Sequence, residues 1–206
     1  CNIPFAQLGI ALGEDTIASQ AEKFGFGSII KTPLSSVASV YPSGMDDAQL
    51  GLSSFGQFDV RVTPLQIAMI SSAIANKGLL MKPNLVQTVL SSNLAVLSAP
   101  SPAEQGRPIS EKTANALTEM MVAAVDSGVS TNGGIKGVSV AGKTGTAQNG
   151  PKQPYTLWFT GFAPAENPKV AVAVVVADGG GQGQNGRGNS LAAPVASKVM
   201  KAVLGK

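Results

Sequence analysis

The tetrapeptide Lys143-Thr144-Gly145-Thr146 carries the most concrete chemical signal in this chain of 206 residues. It lies near the end of the segment Val138–Gln148, which is typical of a strand. A lysine followed by Thr-Gly-Thr brings a cation, two hydroxyls and an unhindered backbone to one exposed strand. These groups suit the binding of a peptide carboxylate and the stabilisation of a developing oxyanion. Alone, the tetrapeptide is a weak signal, because an ordinary strand end bearing a solvated lysine is the commoner case.

Histidine is absent from the sequence. Its absence excludes Ser-His-Asp and Cys-His catalysis, together with most zinc sites. Any general base must therefore be a lysine, a carboxylate or a group outside this chain. We expect neither a metal site nor a cofactor.

The composition is that of one well-packed domain. Hydrophobic residues make up 44% of the chain and charged residues 13%, and the length allows a sizeable core. The net charge is +3, from 15 basic and 12 acidic residues. The basic residues are dispersed, so we expect no nucleic-acid partner. The longest apolar run, Val170–Ala177, has the length of a buried strand and is too short to span a membrane.

Residues 1–134 are predicted to be mainly helical, and residues 135–206 to form a meander of three strands followed by a C-terminal helix. Thr63-Pro64 and Ser110 are typical helix starts, because a hydroxyl caps the first turn and proline suits its first position. The predicted helices are Ile3–Leu12, a helix capped by Asp15 that ends at Lys23, Leu65–Asn76, a helix capped by Ser110 that runs to about Ser127, and Pro194–Leu204 with Val195, Val199, Met200 and Val203 facing inward. We expect loops at 31–48 and 91–108, and a strand at Leu85–Leu90.

Three strands are predicted in the second half, at Val138–Gln148, Tyr155–Ala163 and Val170–Ala177. The connections between them are short, which favours antiparallel hairpins. The third strand is apolar at every position, so both of its faces should be covered. The expected fold class is α+β, an antiparallel sheet flanked by helices within a single domain.

Several segments together resemble the transpeptidase domain of class B penicillin-binding proteins, and within that family the penicillin-binding protein A group of actinobacteria. The resemblance covers essentially the whole chain, and the order and spacing of the segments make it specific. The segments are Cys1-Asn-Ile-Pro-Phe-Ala-Gln-Leu8, Gly56-Gln-Phe-Asp-Val-Arg-Val-Thr-Pro-Leu-Gln66, Ala75-Asn-Lys-Gly78, Lys82-Pro83, Gly142-Lys-Thr-Gly-Thr-Ala147, Trp158-Phe-Thr-Gly-Phe-Ala-Pro164 and Ala192-Ala-Pro194.

The resemblance implies a D,D-transpeptidase that is acylated by β-lactams. In the family, the serine of a Ser-x-x-Lys motif attacks a peptidoglycan stem peptide, releases D-Ala and passes the acyl group to the amine of a neighbouring stem. Lys143 would be the electropositive partner of the substrate's terminal carboxylate, which the Thr144 and Thr146 hydroxyls would bind. The Thr146 backbone N–H would contribute to the oxyanion hole, and Gly145 would keep the strand open to the substrate backbone. Asn2, from the end of the family's Ser-x-Asn element, would hydrogen-bond the substrate's amide and the catalytic lysine.

The nucleophilic serine and its lysine are expected to lie outside this chain, because we predict that it lacks the family's Ser-x-x-Lys motif. The serine that should precede Cys1 is also missing. Asn2-Ile3-Pro4 is typical of a domain interior, so we expect a fragment that is inactive alone. Its partner would be an N-terminal segment of the same protein. The full protein would be anchored to the membrane by a segment absent here, with this domain on the extracytoplasmic face and possible contacts to cell-division or elongation proteins.

Alternative functions stay open at this point. The same fold could serve as a β-lactam sensor without turnover, as a structural remnant that scaffolds division proteins, or as a serine β-lactamase. Glu111 and Asn115 have the spacing of the deacylating pair of some β-lactamases, but Glu111 falls in the first turn of a helix, where a carboxylate is favoured for structural reasons. Cys1 could be the nucleophile of an N-terminal-nucleophile hydrolase, although a helix rather than a core strand is predicted to follow it. The glycine-rich segment 179–188 lacks the phosphate-loop pattern and is predicted to be a flexible loop.

Overall fold

The computed structural model describes residues 2–206 of the chain. The described residues form six α-helices and seven strands, numbered here in chain order. The helices are α1 Asn2–Leu12, α2 Glu14–Lys23, α3 Asp47–Ser53, α4 Pro64–Ala75, α5 Glu111–Asp126 and α6 Gly188–Leu204; the strands are β1 Leu80–Met81, β2 Val89–Leu90, β3 Val96–Ser98, β4 Glu104–Gly106, β5 Ala141–Ala147, β6 Thr156–Ala163 and β7 Val170–Val176.

An antiparallel sheet in the order β5-β6-β7 forms the centre of the structure. Its two faces are packed separately, because successive side chains of a strand point to opposite sides. Phe159 is fully buried on the face covered by α6, and Phe162 is fully buried on the face where α4 and α5 pack. The predicted α+β fold with three antiparallel strands is confirmed.

Strand β7 is covered on both faces, as predicted, but it is not fully buried. Its residues are half-buried for the most part, and the Val175 side chain remains 39% exposed. The reason is its place at the edge of the sheet, where no strand of residues 2–206 pairs with its outer side.

The start of α6 differs from the prediction by six residues. Pro194 lies inside the helix, which already begins at Gly188. The predicted inward face is wrong for the three valines, since Val195, Val199 and Val203 are 43–59% exposed. Small residues, Ala192, Ala193 and Ala196, together with Met200, make the buried face because they allow the helix to lie close to the sheet.

Two helix starts confirm the capping predictions, and one does not. Thr63 and Ser110 each accept a hydrogen bond from the backbone of the first turn through their hydroxyls. Asp15 does not cap α2, because the helix follows Gly13 directly and Asp15 lies in its first turn. The structure adds α3, unpredicted, which Asp46 and Gln49 start with a reciprocal pair of side-chain hydrogen bonds.

The predictions for residues 80–108 are mostly wrong. The predicted strand Leu85–Leu90 survives only in its last two residues, which pair with β3, and the predicted loop 91–108 contains both β3 and β4. These strands are two or three residues long, too short for a periodic sequence pattern to reveal. No helix within residues 2–206 combines the length and apolar character that crossing a bilayer requires.

Candidate active site

A cleft of about 420 Å³ lies beside β5 and contains the tetrapeptide singled out from the sequence. Strands β5 and β6 form one wall, with Lys143 paired to Thr160 and Gly145 paired to Trp158. The rest of the lining comes from the turn after α2, from the segment after α3 and from α4. Its residues are Phe26, Phe55, Gly56, Gln57, Val60, Val62 and Ile67. The cleft is therefore a mainly apolar slot with its polar groups concentrated along β5.

The outer edge of β5 is the polar rim of this cleft. Thr144, Thr146 and Gln148 turn their backbone groups away from β6, because alternate residues of an edge strand face outward. The Thr144 N–H and the Gln148 N–H both donate to side chains, those of Ser130 and Gln57. Within the described part of the chain, the Thr146 N–H has no such partner. It is the outward-facing donor left open to a ligand, as its predicted role in an oxyanion hole requires.

Lys143 lies on the cleft side of β5, and its ammonium reaches the same edge. Its Nζ donates to the carbonyl oxygen of Thr144 at 2.7 Å. The side chain keeps contact with solvent, yet the cleft walls remove part of its hydration, and this burial lowers the pKa of the ammonium below the ordinary lysine value. The structure thus places a cation with a weakened hold on its proton within the slot.

Ser130, which the sequence analysis did not identify, holds the first threonine of the tetrapeptide. Its fully buried hydroxyl accepts from the Thr144 N–H at 3.1 Å and lies 3.4 Å from the Thr144 hydroxyl. The Thr144 hydroxyl in turn donates to the carbonyl of Val129 at 3.5 Å. The Thr144 hydroxyl is therefore hydrogen-bonded to the turn after α5. Among residues 2–206, the Thr146 hydroxyl has no hydrogen-bond partner. Binding of a carboxylate by Thr144 stays a prediction.

Gln57 was part of a recognised segment, but no role was predicted for it. Its Nε2 donates to the carbonyl of Thr146 at 3.1 Å, and its Oε1 accepts from the Gln148 N–H at 3.0 Å. The Gln57 carboxamide therefore occupies the backbone hydrogen-bonding groups at the end of the β5 edge. A glutamine at position 57 gives no hint of this in the sequence, because its partners lie about ninety residues away.

Neither Asn2 nor a Ser-x-x-Lys motif lies at the cleft in the described part of the chain. Asn2 is exposed at the start of α1 and does not line the cleft, so its predicted role is not tested; Cys1 lies outside the described residues. The expectation that the sequence contains no Ser-x-x-Lys is wrong, because Ser28-Ile29-Ile30-Lys31 has that spacing. In the structure this segment is irregular, with both Ser28 and Lys31 exposed, and neither residue lines the cleft.

The other candidate groups lie outside the cleft. Glu111 begins α5 and pairs with Lys77 at 3.1 Å, which fits its structural interpretation. The glycine-rich segment folds onto the start of β6, where Tyr155 exchanges backbone hydrogen bonds with Gly179 and Gly183. Across residues 2–206, no three acidic or sulfur ligands are grouped to hold a metal ion.

Comparison with known proteins identifies the family. Residues 1–201 match the family described as the penicillin binding protein transpeptidase domain. The chain is 41% identical to the peptidoglycan D,D-transpeptidase PbpA of Mycolicibacterium smegmatis over 208 residues, and 42% identical to PbpA of Mycobacterium tuberculosis. Each alignment covers 99% of this chain and 42% of the relative. The chain thus spans less than half the length of these relatives.

Solved structures give the same result. Penicillin-binding protein A from M. tuberculosis in its ceftriaxone acyl-enzyme complex superposes with a TM-score of 0.93 at 42% identity, over 99% of this chain and 46% of that one. The imipenem acyl-enzyme complex of the same protein gives a TM-score of 0.89, over 99% of this chain and 45% of that one. Since the family match and the fold agree over nearly all of these residues, the chain belongs to the penicillin-binding protein transpeptidase family.

Proposed function

We propose that the protein containing this chain is a peptidoglycan D,D-transpeptidase, and that this chain supplies the carboxylate and oxyanion wall of its active site. The observation that carries the proposal is the edge of β5, where the Lys143 ammonium and the open Thr146 N–H face one cleft. Relatives that are about 40% identical are named D,D-transpeptidases, and penicillin-binding protein A from M. tuberculosis was solved in several β-lactam acyl-enzyme complexes. Peptidoglycan stem peptides and β-lactams are the proposed ligands.

The proposed reaction is acyl transfer through a serine ester. The serine Oγ attacks the carbonyl carbon of the penultimate D-Ala, the peptide C–N bond breaks, and the terminal D-Ala leaves as an amine that takes up a proton. The amine of a neighbouring stem then attacks the ester, which forms the cross-link and returns the serine. The Thr146 N–H would donate to the carbonyl oxygen as it becomes negative, and the charge of Lys143 would hold the terminal carboxylate, together with the Thr144 and Thr146 hydroxyls.

The nucleophile would come from a part of the protein outside these 206 residues. Two observations support this part of the proposal. The residues that line the cleft within the described chain include no serine, and the only sequence match to Ser-x-x-Lys lies outside the cleft. Asn2 would complete the site from the start of α1, next to that part of the protein. Anchoring to the extracytoplasmic face of the membrane and contacts with cell-division or elongation proteins belong to the same proposal.

The test is acylation and turnover by the complete protein. A fluorescent penicillin should label it covalently, and a stem peptide ending in D-Ala-D-Ala should release D-Ala and form cross-linked product. A sensor would be labelled without releasing D-Ala. A β-lactamase would hydrolyse the penicillin and regenerate the free enzyme quickly. Failure of the penicillin to label the complete protein would overturn the proposal.

A further inference from the structure

Gln57 occupies the place on β5 where a second extended chain would otherwise pair. An edge strand recognises an extended peptide through its outward N–H and C=O groups. Along β5 those groups belong to Thr144 and Thr146, and Gln148 just after the strand continues the series. The Gln57 carboxamide bonds both the carbonyl of Thr146 and the N–H of Gln148. A neighbouring strand would make contacts of the same kind.

The two contacts restrict a ligand differently. An N–H donates one strong hydrogen bond, so the Gln148 N–H is fully used. A carbonyl oxygen has two lone pairs, so the Thr146 carbonyl can still accept from a ligand. The usable pairing surface therefore ends at Thr146, whose own N–H stays open.

The position of Gln57 is fixed by the end of α3. The Gly56 N–H donates to the carbonyl of Ser53 and the Gln57 N–H to the carbonyl of Leu52, the paired arrangement that commonly ends a helix at glycine. Gly56 has φ 82°, which the arrangement requires and glycine tolerates. These bonds fix the backbone of Gln57 at the end of α3, from which its carboxamide reaches β5.

We propose that Gln57 is a positioning residue, which holds the backbone of Thr146 and Gln148 so that the Thr146 N–H points at the reacting carbonyl, and which ends strand pairing beyond Thr146. The inference rests on the proposed function, because it gives Thr146 its role as oxyanion donor. Gln57 itself needs no contact with the reacting atoms. Its effect is transmitted through the backbone of β5.

The test is the variant Gln57→Met in the complete protein, with a penicillin as the ligand. Methionine has a similar length and can fill the same space, but it cannot donate to the Thr146 carbonyl, and its sulfur is only a weak acceptor for the Gln148 N–H. Removal of a whole oxyanion donor slows catalysis by about 10²–10³-fold. We expect a misplaced donor to cost at least roughly tenfold in the first-order acylation rate constant, with the dissociation constant of the preceding non-covalent complex changed less than about twofold.

The control is Gln49→Met, which also removes a glutamine carboxamide from the α3 region. The Gln49 Oε1 accepts from the Asp46 N–H at the start of α3 and does not touch β5. This variant should acylate at the wild-type rate. A second measurement needs no activity: hydrogen exchange at the Gln148 amide should accelerate in Gln57→Met, while exchange at the Leu157 amide stays unchanged.

The outcomes separate the inference from the proposed function. If the wild-type protein is not acylated, the proposed function fails, whereas the exchange measurement still tests whether Gln57 supports β5. If the wild type is acylated and Gln57→Met reacts at the same rate, the inference alone fails. It also fails if the loss appears only in the dissociation constant, or if Gln49→Met slows acylation equally, since Gln57 would then only shape the cleft or stabilise the fold.

Discussion

The role proposed for Lys143 depends on the strand that carries it. Its ammonium is placed on the cleft side of β5, where partial burial makes its charge more costly and its attraction for an anion stronger than in open water. The same residue on an exposed helix would contribute little, because water and salt would screen it. The contribution proposed for Lys143 therefore depends on this partly dehydrated position.

Replacement of Lys143 should therefore slow acylation and leave the fold intact. In the complete protein, Lys143→Ala is expected to reduce the second-order acylation rate constant by about 10²-fold or more, on the scale of a lost transition-state contact. The melting temperature should stay within about 2 °C, since exposed substitutions rarely change stability much. The matched control is Lys198→Ala, an exposed lysine on α6 away from the cleft. If Lys143→Ala and Lys198→Ala are acylated at equal rates, Lys143 does not contribute to acylation.

The titration of Lys143 should also be visible in the pH dependence of the acylation rate. Burial lowers the pKa of the Lys143 ammonium, so its charge is lost as the pH rises through the lowered pKa. Acylation should therefore decline on the alkaline side, at a lower pH than an ordinary lysine would give. Lys143→Arg keeps its charge throughout this range, so the decline should move to higher pH. If the alkaline decline lies at the same pH in the wild type and in Lys143→Arg, a group other than Lys143 causes it.

The chemistry at this scale could be predicted from the sequence only where it is local. The residues from Lys143 to Thr146 stand next to each other in the chain, so their types, together with the family resemblance of the surrounding segments, led to the prediction of a carboxylate and oxyanion site. Ser130 and Gln57 could not be recognised in the same way. Both are common polar residues whose partners on β5 are 14 and about ninety residues distant, and only the fold brings them together.

At the scale of elements, the start of α6 packs closely against the backbone of β5 and β6. A Cβ atom added at Gly188 would lie 2.4 Å from the carbonyl oxygen of Trp158 and 2.6 Å from that of Gly145. The first turn of α6 therefore rests directly on the backbone of the two strands that form the cleft wall. Any side chain at Gly188 must push the helix away or displace Gly145.

Gly188→Ala should consequently destabilise the protein, although alanine is normally the better helix former. We expect a loss of about 1–3 kcal/mol in the free energy of unfolding, the usual cost of overpacking, together with slower acylation because Gly145 precedes the proposed oxyanion donor. Denaturant unfolding and penicillin acylation measure the two effects. The control is Gly106→Ala, where an added Cβ meets no atom within 4 Å. A neutral Gly188→Ala would contradict the packing argument.

Long and well-buried elements could be predicted from the sequence, whereas short ones could not. The sheet β5-β6-β7 and helices α4 and α5 carry long apolar patterns and clear caps, and the sequence placed them within a few residues. The predicted inward face of α6 failed because alanines, rather than valines, pack against the sheet. Strands β1 to β4 were missed or misplaced because strands of two or three residues are too short to leave a periodic pattern.

At the scale of the whole molecule, the described surface carries two apolar features that a monomeric domain usually covers. Helix α1 exposes several large side chains, including Ile3 at 67% and Phe5 at 58%. Strand β7 has an outer edge that no strand of residues 2–206 pairs, and its sequence, Val170–Val176, contains no charge, proline or glycine. Natural edge strands normally carry such residues to prevent pairing with other chains.

The isolated chain of 206 residues should therefore self-associate, and the edge of β7 should be one cause. We expect light scattering after size-exclusion chromatography to show a mass that rises with concentration in the micromolar range. Val175→Lys should reduce this association, because Val175 is the most exposed residue of β7 and a lysine there can reach water while it opposes strand pairing. The matched control, Val203→Lys, adds the same charge on the exposed face of α6, away from the edge. If both variants reduce association equally, net charge rather than the β7 edge is responsible. If the wild-type chain stays monomeric at every concentration, the open edge is harmless and the prediction is wrong.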